Sequence, residues 1–249
     1  MFSFCKCEAK NIYHKGFTLA EVLITLGIIG VVAAMTLPAL MQNYQKAQAV
    51  SQLKKSYAVF QNAVELIRGD YGGSDMLGMP FVHQQFNHPQ YFDLAMFADE
   101  LSKHLNYMER GEHPTYSTEV KMCLPEDTTQ HYKWASGEQQ SSWGVVRHWW
   151  TLNDGSCLAI SSRGNWTWDE NTHVLVYIDI NGSDKNPNQF GKDTFMFELT
   201  HSGKVIPYDG ENGNEDCLSN LSGYRARGLT CARKILKDGW QMKHDYKWK

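Results

Sequence analysis

The sequence predicts an α+β protein in which one long N-terminal helix is followed by an antiparallel β-sheet. Three observations support this class. An apolar run begins at Phe17 and continues to Met41. An amphipathic stretch follows it directly, and short alternating strands with turn signals between them occupy the second half of the chain. We therefore expect a helical N-terminal segment and one α+β head.

The apolar run predicts a membrane-spanning helix. It exceeds the roughly 20 residues that a helix needs to cross a bilayer, and no other stretch of the 249 residues approaches this length. Lys6, Lys10 and Lys15 precede the run together with a single acidic residue, Glu8. Because lysines before an apolar span keep that end in the cytoplasm, we expect one membrane pass with the remainder of the chain on the outer side.

The helix is predicted to continue beyond the apolar run, as one helix over about 17–68. Apolar side chains recur at steps of three and four, which is typical of an amphipathic helix. The predicted stripe consists of Val50, Leu53, Tyr57, Phe60, Val64 and Ile67. The sequence GDYGG then predicts the end of the helix. A membrane anchor joined to a separate core helix is the alternative, because Gly27, Gly30 and Pro38 are sites at which a helix bends.

The rest of the chain predicts a second helix and an antiparallel meander. The second helix is predicted at 90–108, with its inward positions at Phe92, Met96, Leu101 and Leu105. Residues 74–90 and 109–142 have no clear period and are predicted to be irregular. Strands are predicted at 145–152, 156–162, 172–180, 193–199 and 204–209, and a short helix at 229–238. The sequence NDG between the first two strands is a strong hairpin signal.

Charge and motif content exclude several classes of function. The formal net charge of −3 provides no bulk attraction to nucleic acid. The sequence has no Gly-rich phosphate loop, no nucleophile elbow and no zinc-ligand spacing. We therefore expect neither an enzyme nor a nucleic-acid partner.

Four cysteines follow the apolar run and predict two disulfides. Cys123, Cys157, Cys217 and Cys231 form an even set on the predicted oxidising side of the membrane. The favoured pairing joins Cys217 to Cys231, which are close together in the terminal region, and Cys123 to Cys157. Four free buried thiols are the alternative.

One carboxylate lies inside the apolar run, at Glu21, where an unpaired charge costs at least about 2.5 kcal/mol in hydrocarbon. Three hypotheses account for it. Glu21 could extend to the membrane interface, or residues 1–34 could be a secretory signal that ends in VAA, although a charge counts against such a signal. Alternatively, cleavage between Gly16 and Phe17 would create an amino group one helical turn from Glu21, on the same face. That amine, or the amine of a neighbouring chain, would neutralise the carboxylate.

The stretch KGFTLAEVLITLGIIGVVAAMTLPAL resembles the type IV prepilin signature of bacterial type IV pilins and type II secretion pseudopilins. The resemblance implies that a membrane aspartyl protease, prepilin peptidase, cuts after Gly16 and N-methylates Phe17. It implies that Glu21 guides assembly by pairing with a neighbour's N-terminus. It also implies that Pro38 is the proline that loosens the helix in this family.

The resemblance further implies a division of the chain and a set of partners. The expected parts are a prepilin leader at 1–16, a transmembrane half-helix at 17–41, an amphipathic half-helix at 42–69 and a head with the pilin fold at 70–249. The expected partners are prepilin peptidase, other pilin or pseudopilin subunits, the inner-membrane assembly platform and membrane lipid. The protein would leave the bacterial inner membrane for an extracytoplasmic filament, in the periplasm or at the cell surface. The sequence does not separate pilus from pseudopilus.

Two regions of the predicted head have alternative interpretations. The loop at 179–193 is rich in oxygen ligands, and Asp179, Asn181, Asp184 and Asp193 are the candidates for holding Ca²⁺. The spacing departs from the EF-hand, and the same residues suit Asx-turns.

The second region is rich in tryptophan. Trp143, Trp149, Trp150, Trp166 and Trp168 could stack on sugars or bases, or could pack in the core. The stacking alternative would make the protein a membrane-anchored or pilus-tip adhesin that binds glycan or DNA.

Overall fold

The chain divides into two compact units, Met1–Tyr44 and Gln45–Lys249. A computed structural model describes residues 16–73, 75–76, 78–85, 88–113, 122–123, 131–139, 146–162, 174–209, 217 and 227–246. We call the described residues up to Tyr44 the anchor segment and those from Gln45 onward the head. Helix α1, Leu19–Asp70, contributes to both.

The anchor segment exposes its apolar side chains. All of its described residues except Ala33 are exposed. Of the helices in the described part of the chain, α1 is long and apolar enough to cross a membrane, and none of its most apolar 18-residue window is buried. This surface has no partner within the chain.

Helix α1 continues into the head and confirms the prediction of one continuous helix, which includes Pro38. The predicted stripe is the face that it buries. Leu53, Phe60, Val64 and Ile67 have exposed fractions of 0%, and Tyr57 is partly buried. Beyond the helix, Gly72 adopts φ +63°, a conformation that glycine accepts without strain.

The head contains a six-stranded antiparallel sheet in sequential order, which confirms the predicted α+β class. Its strands are β3 Tyr107–Glu112, β4 His148–Leu152, β5 Cys157–Ser162, β6 Val174–Asp179, β7 Thr194–Leu199 and β8 Val205–Pro207. The predicted hairpin at NDG joins β4 to β5, with Thr151 paired to Cys157. A short helix, α3 Cys231–Lys237, follows the sheet near the C-terminus.

The region before β3 differs from the prediction. The helix predicted at 90–108 is limited to α2 Leu94–His104. Asp93 sets its start, because the carboxylate accepts a hydrogen bond from the Met96 N–H as an N-cap. Met96, predicted to face inward, is 39% exposed, and Phe97 is buried instead.

Residues predicted to be irregular also contain strands. A separate hairpin is formed by β1 Val82–Gln85 and β2 His88–Phe92, and β3 lies where 109–142 was predicted to lack structure. The hairpin is closed by buried Phe81 and Phe92, whose rings lie 5.4 Å apart, rather than by alternating apolar residues. Its sequence therefore lacks the period that predicts a strand.

The sheet buries both of its faces. Alternate residues of the central strands pack against α1, α2 and α3 on one face, among them Ile160, Val176 and Phe197. The residues between them, such as Tyr177 and Met196, pack against Tyr132, Trp134 and Phe190 in a second cluster. Strands β6 and β7 are buried at every position, because both faces are covered.

Side chains of α1 form hydrogen bonds with backbone groups at one edge of the sheet. The Val205 N–H of edge strand β8 donates to Gln61 Oε1 at 2.8 Å. The Val205 carbonyl accepts from the Tyr57 hydroxyl at 2.9 Å, and Gln61 Nε2 donates to the Gly203 carbonyl at 3.2 Å. The helix therefore satisfies edge groups that would otherwise be open to pairing with another strand.

Two disulfides join the four head cysteines. Cys123 is bonded to Cys157 across a sequence separation of 34, and Cys217 to Cys231 across 14. The first links a loop to buried strand β5, and the second links a loop to the start of α3. These are the pairings that the sequence favours.

Candidate functional site

The predicted processing site lies at the start of the anchor segment. Gly16 and Phe17 precede the first helical residue, Leu19, and both are exposed. The Phe17 side chain is 87% exposed, and a Cβ placed on Gly16 would meet no atom within 4 Å. The peptide bond between these residues is therefore accessible to another protein.

Thr18 and Glu21 form a reciprocal cap at the N-terminus of α1. The Glu21 N–H donates to Thr18 Oγ1 at 3.2 Å, while Glu21 Oε2 accepts from both the Thr18 N–H and the Thr18 hydroxyl at 2.8 Å. This is a capping box, which satisfies backbone donors that the first helical turn leaves unpaired. A carboxylate in the first turn also interacts favourably with the helix dipole.

The cap gives Glu21 a local role that was not among the predictions from the sequence. The signal was present, because Thr18-x-x-Glu21 is the capping-box pattern. Thr18, Phe17 and Glu21 would all remain after cleavage at Gly16, so the mature chain would retain the cap. The structure of the single chain does not bring Glu21 into contact with any other acidic or basic side chain of the described residues.

The polar side chains within the apolar run are satisfied by the helix itself. The Thr25 hydroxyl donates to the carbonyls of Glu21 at 2.9 Å and Val22 at 3.0 Å. The Thr36 hydroxyl donates to the Val32 carbonyl at 3.0 Å. Such back-bonding makes threonine compatible with an apolar environment. The anchor segment therefore presents an apolar surface that suits lipid or other helices.

Two of the four candidate calcium ligands in the head, Asp179 and Asp193, accept hydrogen bonds from protein donors. Asp179 Oδ1 accepts from the N–H groups of Asn181 at 3.2 Å and Gly182 at 2.9 Å, and its Oδ2 accepts from the Tyr132 hydroxyl at 2.8 Å. Asp193 is occupied in the same way, by the N–H groups of Asn188 at 2.9 Å and Gln189 at 2.6 Å. The contact between Asp179 and the Asn181 N–H is an Asx-turn, which the sequence left as the alternative. Asp193 instead accepts from residues that precede it in the loop.

Both buried carboxyl groups of this loop have raised pKa values. Burial and the neighbouring Asp193 carboxylate raise the pKa of Asp179 to about 7, and burial raises the pKa of Asp193. Asp184 is exposed, so it is not part of the buried pair. Within the described residues, no three His, Cys, Asp or Glu side chains form a group that could hold a metal ion. The hydrogen bonds of Asp179 and Asp193 support the structural-turn interpretation of this loop.

The described tryptophans of the predicted cluster are core residues. Trp150 is fully buried and its Nε1 donates to Ser102 Oγ at 2.9 Å. Trp149 is 7% exposed and lies against Gly111 of β3, where an added Cβ would overlap its ring. Neither ring is available for stacking on a ligand. Trp143, Trp166 and Trp168 lie outside the described residues.

Comparison with known proteins gives a family-model match near the N-terminus and a similar curated protein. Residues 12–37 match the family model described as the prokaryotic N-terminal methylation motif. The chain is also similar to the prepilin peptidase-dependent protein D of Escherichia coli (strain K12), with 36% identity over 62 residues. That alignment covers 25% of this chain and 42% of the relative, so the chain spans less than half the length of the curated relative that it matches. No solved structure matches the chain.

The methylation motif includes Gly16, Phe17, Glu21 and the first part of α1. An exposed Gly-Phe junction, a capped helix start and an exposed apolar helix are therefore found together where the motif lies. These observations fit a membrane-anchored pilin-like protein. The chain therefore carries the prokaryotic N-terminal methylation motif and is similar to a prepilin peptidase-dependent protein.

Proposed function

We propose that this protein is a structural subunit of a type IV pilus or a type II secretion pseudopilus. Prepilin peptidase cuts the chain between Gly16 and Phe17 and methylates the new amino group of Phe17. The mature subunit remains in the inner membrane, with its head on the outer side, until an assembly platform moves it into the filament. Its role is structural rather than catalytic.

The observation that carries this proposal is the exposed apolar surface of the anchor segment. Leu26 and Ile28 are each 60% exposed, as are most of their apolar neighbours along the helix. Such a surface is stable only in lipid or against other apolar helices. A subunit that moves from the membrane into a bundle of helices exchanges one of these environments for the other.

Glu21 has two parts in this proposal. Its Oε2 caps the helix through Thr18, and its negative charge pairs with the N-terminal amine of a neighbouring subunit. The charge, rather than the cap, guides assembly. Because glutamine also serves in a capping box, Glu21→Gln retains the cap and removes the charge.

A comparison of Glu21→Gln with Glu21→Ala tests the proposal in cells that contain the native processing machinery. We expect leader cleavage to persist in both variants and filament incorporation to fall strongly in both. Thr18→Val is the matched control, because it weakens the cap and retains the charge, and it should incorporate. Normal incorporation of Glu21→Gln would contradict the assembly role of the charge.

A further inference from the structure

One lysine of the head, Lys46, lies just beyond the end of the apolar run. It follows Met41, the last residue of that run, by five positions of one continuous helix. At 1.5 Å per residue, five positions correspond to a rise of about 7.5 Å. The polar headgroup layer extends roughly 5–8 Å beyond the hydrocarbon core on each side of a bilayer. A chain that spans the membrane through 17–41 therefore places Lys46 at the level of the lipid headgroups.

The C-terminal segment connects Lys46 to the loop after β6. Lys46 Nζ donates to the Tyr246 carbonyl at 2.9 Å and to the Lys243 carbonyl at 3.5 Å. The hydroxyl of the same tyrosine, which is buried, donates to the Gly191 carbonyl. Lys192 is the next residue along that loop. Tyr246 therefore holds the end of the loop close to Lys46.

A second lysine of the same loop lies at this end of the head. Lys185 and Lys192 line one wall of a cleft, and Gln45 and Gln48, on either side of Lys46 in α1, line the other. Lys185 is exposed, and the other two lysines are partly exposed. We call Lys46, Lys185 and Lys192 the basal lysines.

The basal lysines are not neutralised by ion pairs. Within the part of the chain that the structure describes, none of their ammonium groups forms a salt bridge. Asp193 also lines the cleft, and its charge opposes the desolvation that lowers the pKa of Lys192. This carboxyl group is itself buried, its pKa is raised by burial, and it accepts hydrogen bonds from two backbone N–H groups. It therefore offsets only part of the lysine charge.

The surrounding surface adds more positive than negative charge. Helix α1 carries three lysines and no acidic residue between Glu21 and Glu65. Lys133 is exposed and lies close enough to Lys192 to lower its pKa. Asp184 is an exposed acid of the loop, and it balances one charge at most. The basal end of the head is therefore positively charged.

We propose that the basal lysines bind the headgroups of anionic phospholipids in the outer leaflet of the membrane that the anchor segment spans. The partner is lipid because Lys46 lies at headgroup level, and because basic residues next to a membrane-spanning helix are attracted to anionic lipid. The flexible lysine stems allow the ammonium groups to reach the phosphates. Binding of this kind holds the head against the membrane until the subunit is assembled. The inference rests on the proposed membrane anchoring of the chain.

Photo-cross-linking of the full chain in vesicles tests the inference. The vesicles contain equal parts of phosphatidylcholine and phosphatidylglycerol. A photoreactive amino acid replaces Asn186, the exposed neighbour of Lys185. Asn62, an exposed residue about 24 Å further along α1 than Lys46, is the matched control position. We expect lipid adducts from position 186 that contain mainly phosphatidylglycerol, and far fewer adducts from position 62.

Charge reversal makes the test specific. Lys185→Glu should reduce the phosphatidylglycerol adduct by about fivefold or more, because attraction to the anionic surface becomes repulsion. Addition of Lys192→Glu should abolish the preference for this lipid. Lys204→Glu makes the same change in net charge at an exposed lysine next to Gly203, which lies against Arg68 in the last turn of α1, and should leave the adduct unchanged. High salt should also weaken the adduct, because it screens surface charge.

Flotation of the same vesicles measures membrane anchoring separately. If the chain floats with the vesicles, three results overturn the inference on the basal lysines alone. They are an absence of lipid adducts at position 186, equal labelling of the two lipids, and labelling that Lys185→Glu does not change. An adduct to a second copy of the chain in place of lipid also overturns it. A chain that the vesicles do not retain overturns the proposed anchoring as well.

Discussion

The anchor segment and the head use apolar side chains in opposite ways, although one helix contributes to both. Leu26 is 60% exposed, whereas Leu53, on the same helix, is 0% exposed. The head completes its core within one chain, on both faces of its sheet. The anchor segment has a comparable apolar surface and no such core. The head therefore folds within one chain, whereas the anchor segment depends on lipid or other chains.

Leucine-to-alanine substitutions in the head and in the anchor segment should have different consequences. Leu53→Ala removes a fully buried side chain and should lower the free energy of unfolding of the head by about 3–5 kcal/mol. Leu26→Ala should leave that free energy unchanged in detergent and reduce filament incorporation. Denaturant titration of the full chain and a filament assay measure the two effects. Equal destabilisation by both variants would contradict the division.

The disulfides should contribute almost as much, and to the head alone. Replacement of Cys123 and Cys157 by alanine removes a link across 34 residues and should cost about 3–4 kcal/mol of unfolding free energy. The same change at Cys217 and Cys231 should cost about 3 kcal/mol, because the loop is shorter. Calorimetry or urea unfolding measures the loss. Leader cleavage is the control and should be unaffected.

The stability of the head should depend on pH through Asp179. Its pKa rises from 3.8 to about 7 on folding, because of burial and the nearby Asp193 carboxylate. The folded head therefore keeps a proton that the unfolded chain releases. This stabilising contribution is complete below about pH 4 and is lost as the pH rises through 7. Urea midpoints at pH 5 and pH 8 should reveal it.

Two substitutions isolate the Asp179 contribution from other titrating groups. Asp179→Asn should remove most of the loss in urea midpoint between pH 5 and pH 8. Asp184→Asn, at an exposed carboxyl group in the same loop, should leave the loss intact. An unchanged pH dependence in Asp179→Asn would show that another group is responsible.

Loss of a single hydrogen bond at the edge of the sheet should lower the unfolding free energy only slightly. Tyr57→Phe removes the hydroxyl that donates to the Val205 carbonyl and should cost about 1 kcal/mol of unfolding free energy. Thr25→Val removes a hydroxyl that bonds only within its own helix and should leave the stability of the head unchanged. Hydrogen exchange in β8 should accelerate in the first variant only. Protection of β8 that is insensitive to Tyr57→Phe would contradict the role of this contact.

The spacing of apolar residues predicted the helix and the strands in those segments where a single period is regular. The α1 stripe and the strands from β4 to β8 have regular apolar positions, and the structure confirms each of these elements within a few residues. The hairpin of β1 and β2 was not predicted, because its strands lack alternating apolar residues. Buried Phe81 and Phe92 close it at its base instead. The start of α2 was misplaced because the Asp93 N-cap was overlooked.

The candidate site was predicted only in part, for a related reason. Local motifs identified Gly16, Phe17 and Glu21, because their signal is contiguous in the sequence. The hydrogen bond between the Tyr132 hydroxyl and Asp179 joins segments far apart in the chain, and no local sequence pattern predicts it. The calcium hypothesis rested on the number of oxygen-bearing side chains in the loop. The sequence does not show that backbone N–H groups donate hydrogen bonds to the Asp179 carboxylate.

The intact mass and the N-terminal sequence of the protein test whether the chain is cut between Gly16 and Phe17. The protein is extracted from membranes that contain the native processing machinery. We expect a chain that begins at N-methylated Phe17. A chain that begins at Met35, as after cleavage of a secretory signal, or at Met1 would contradict the proposed processing.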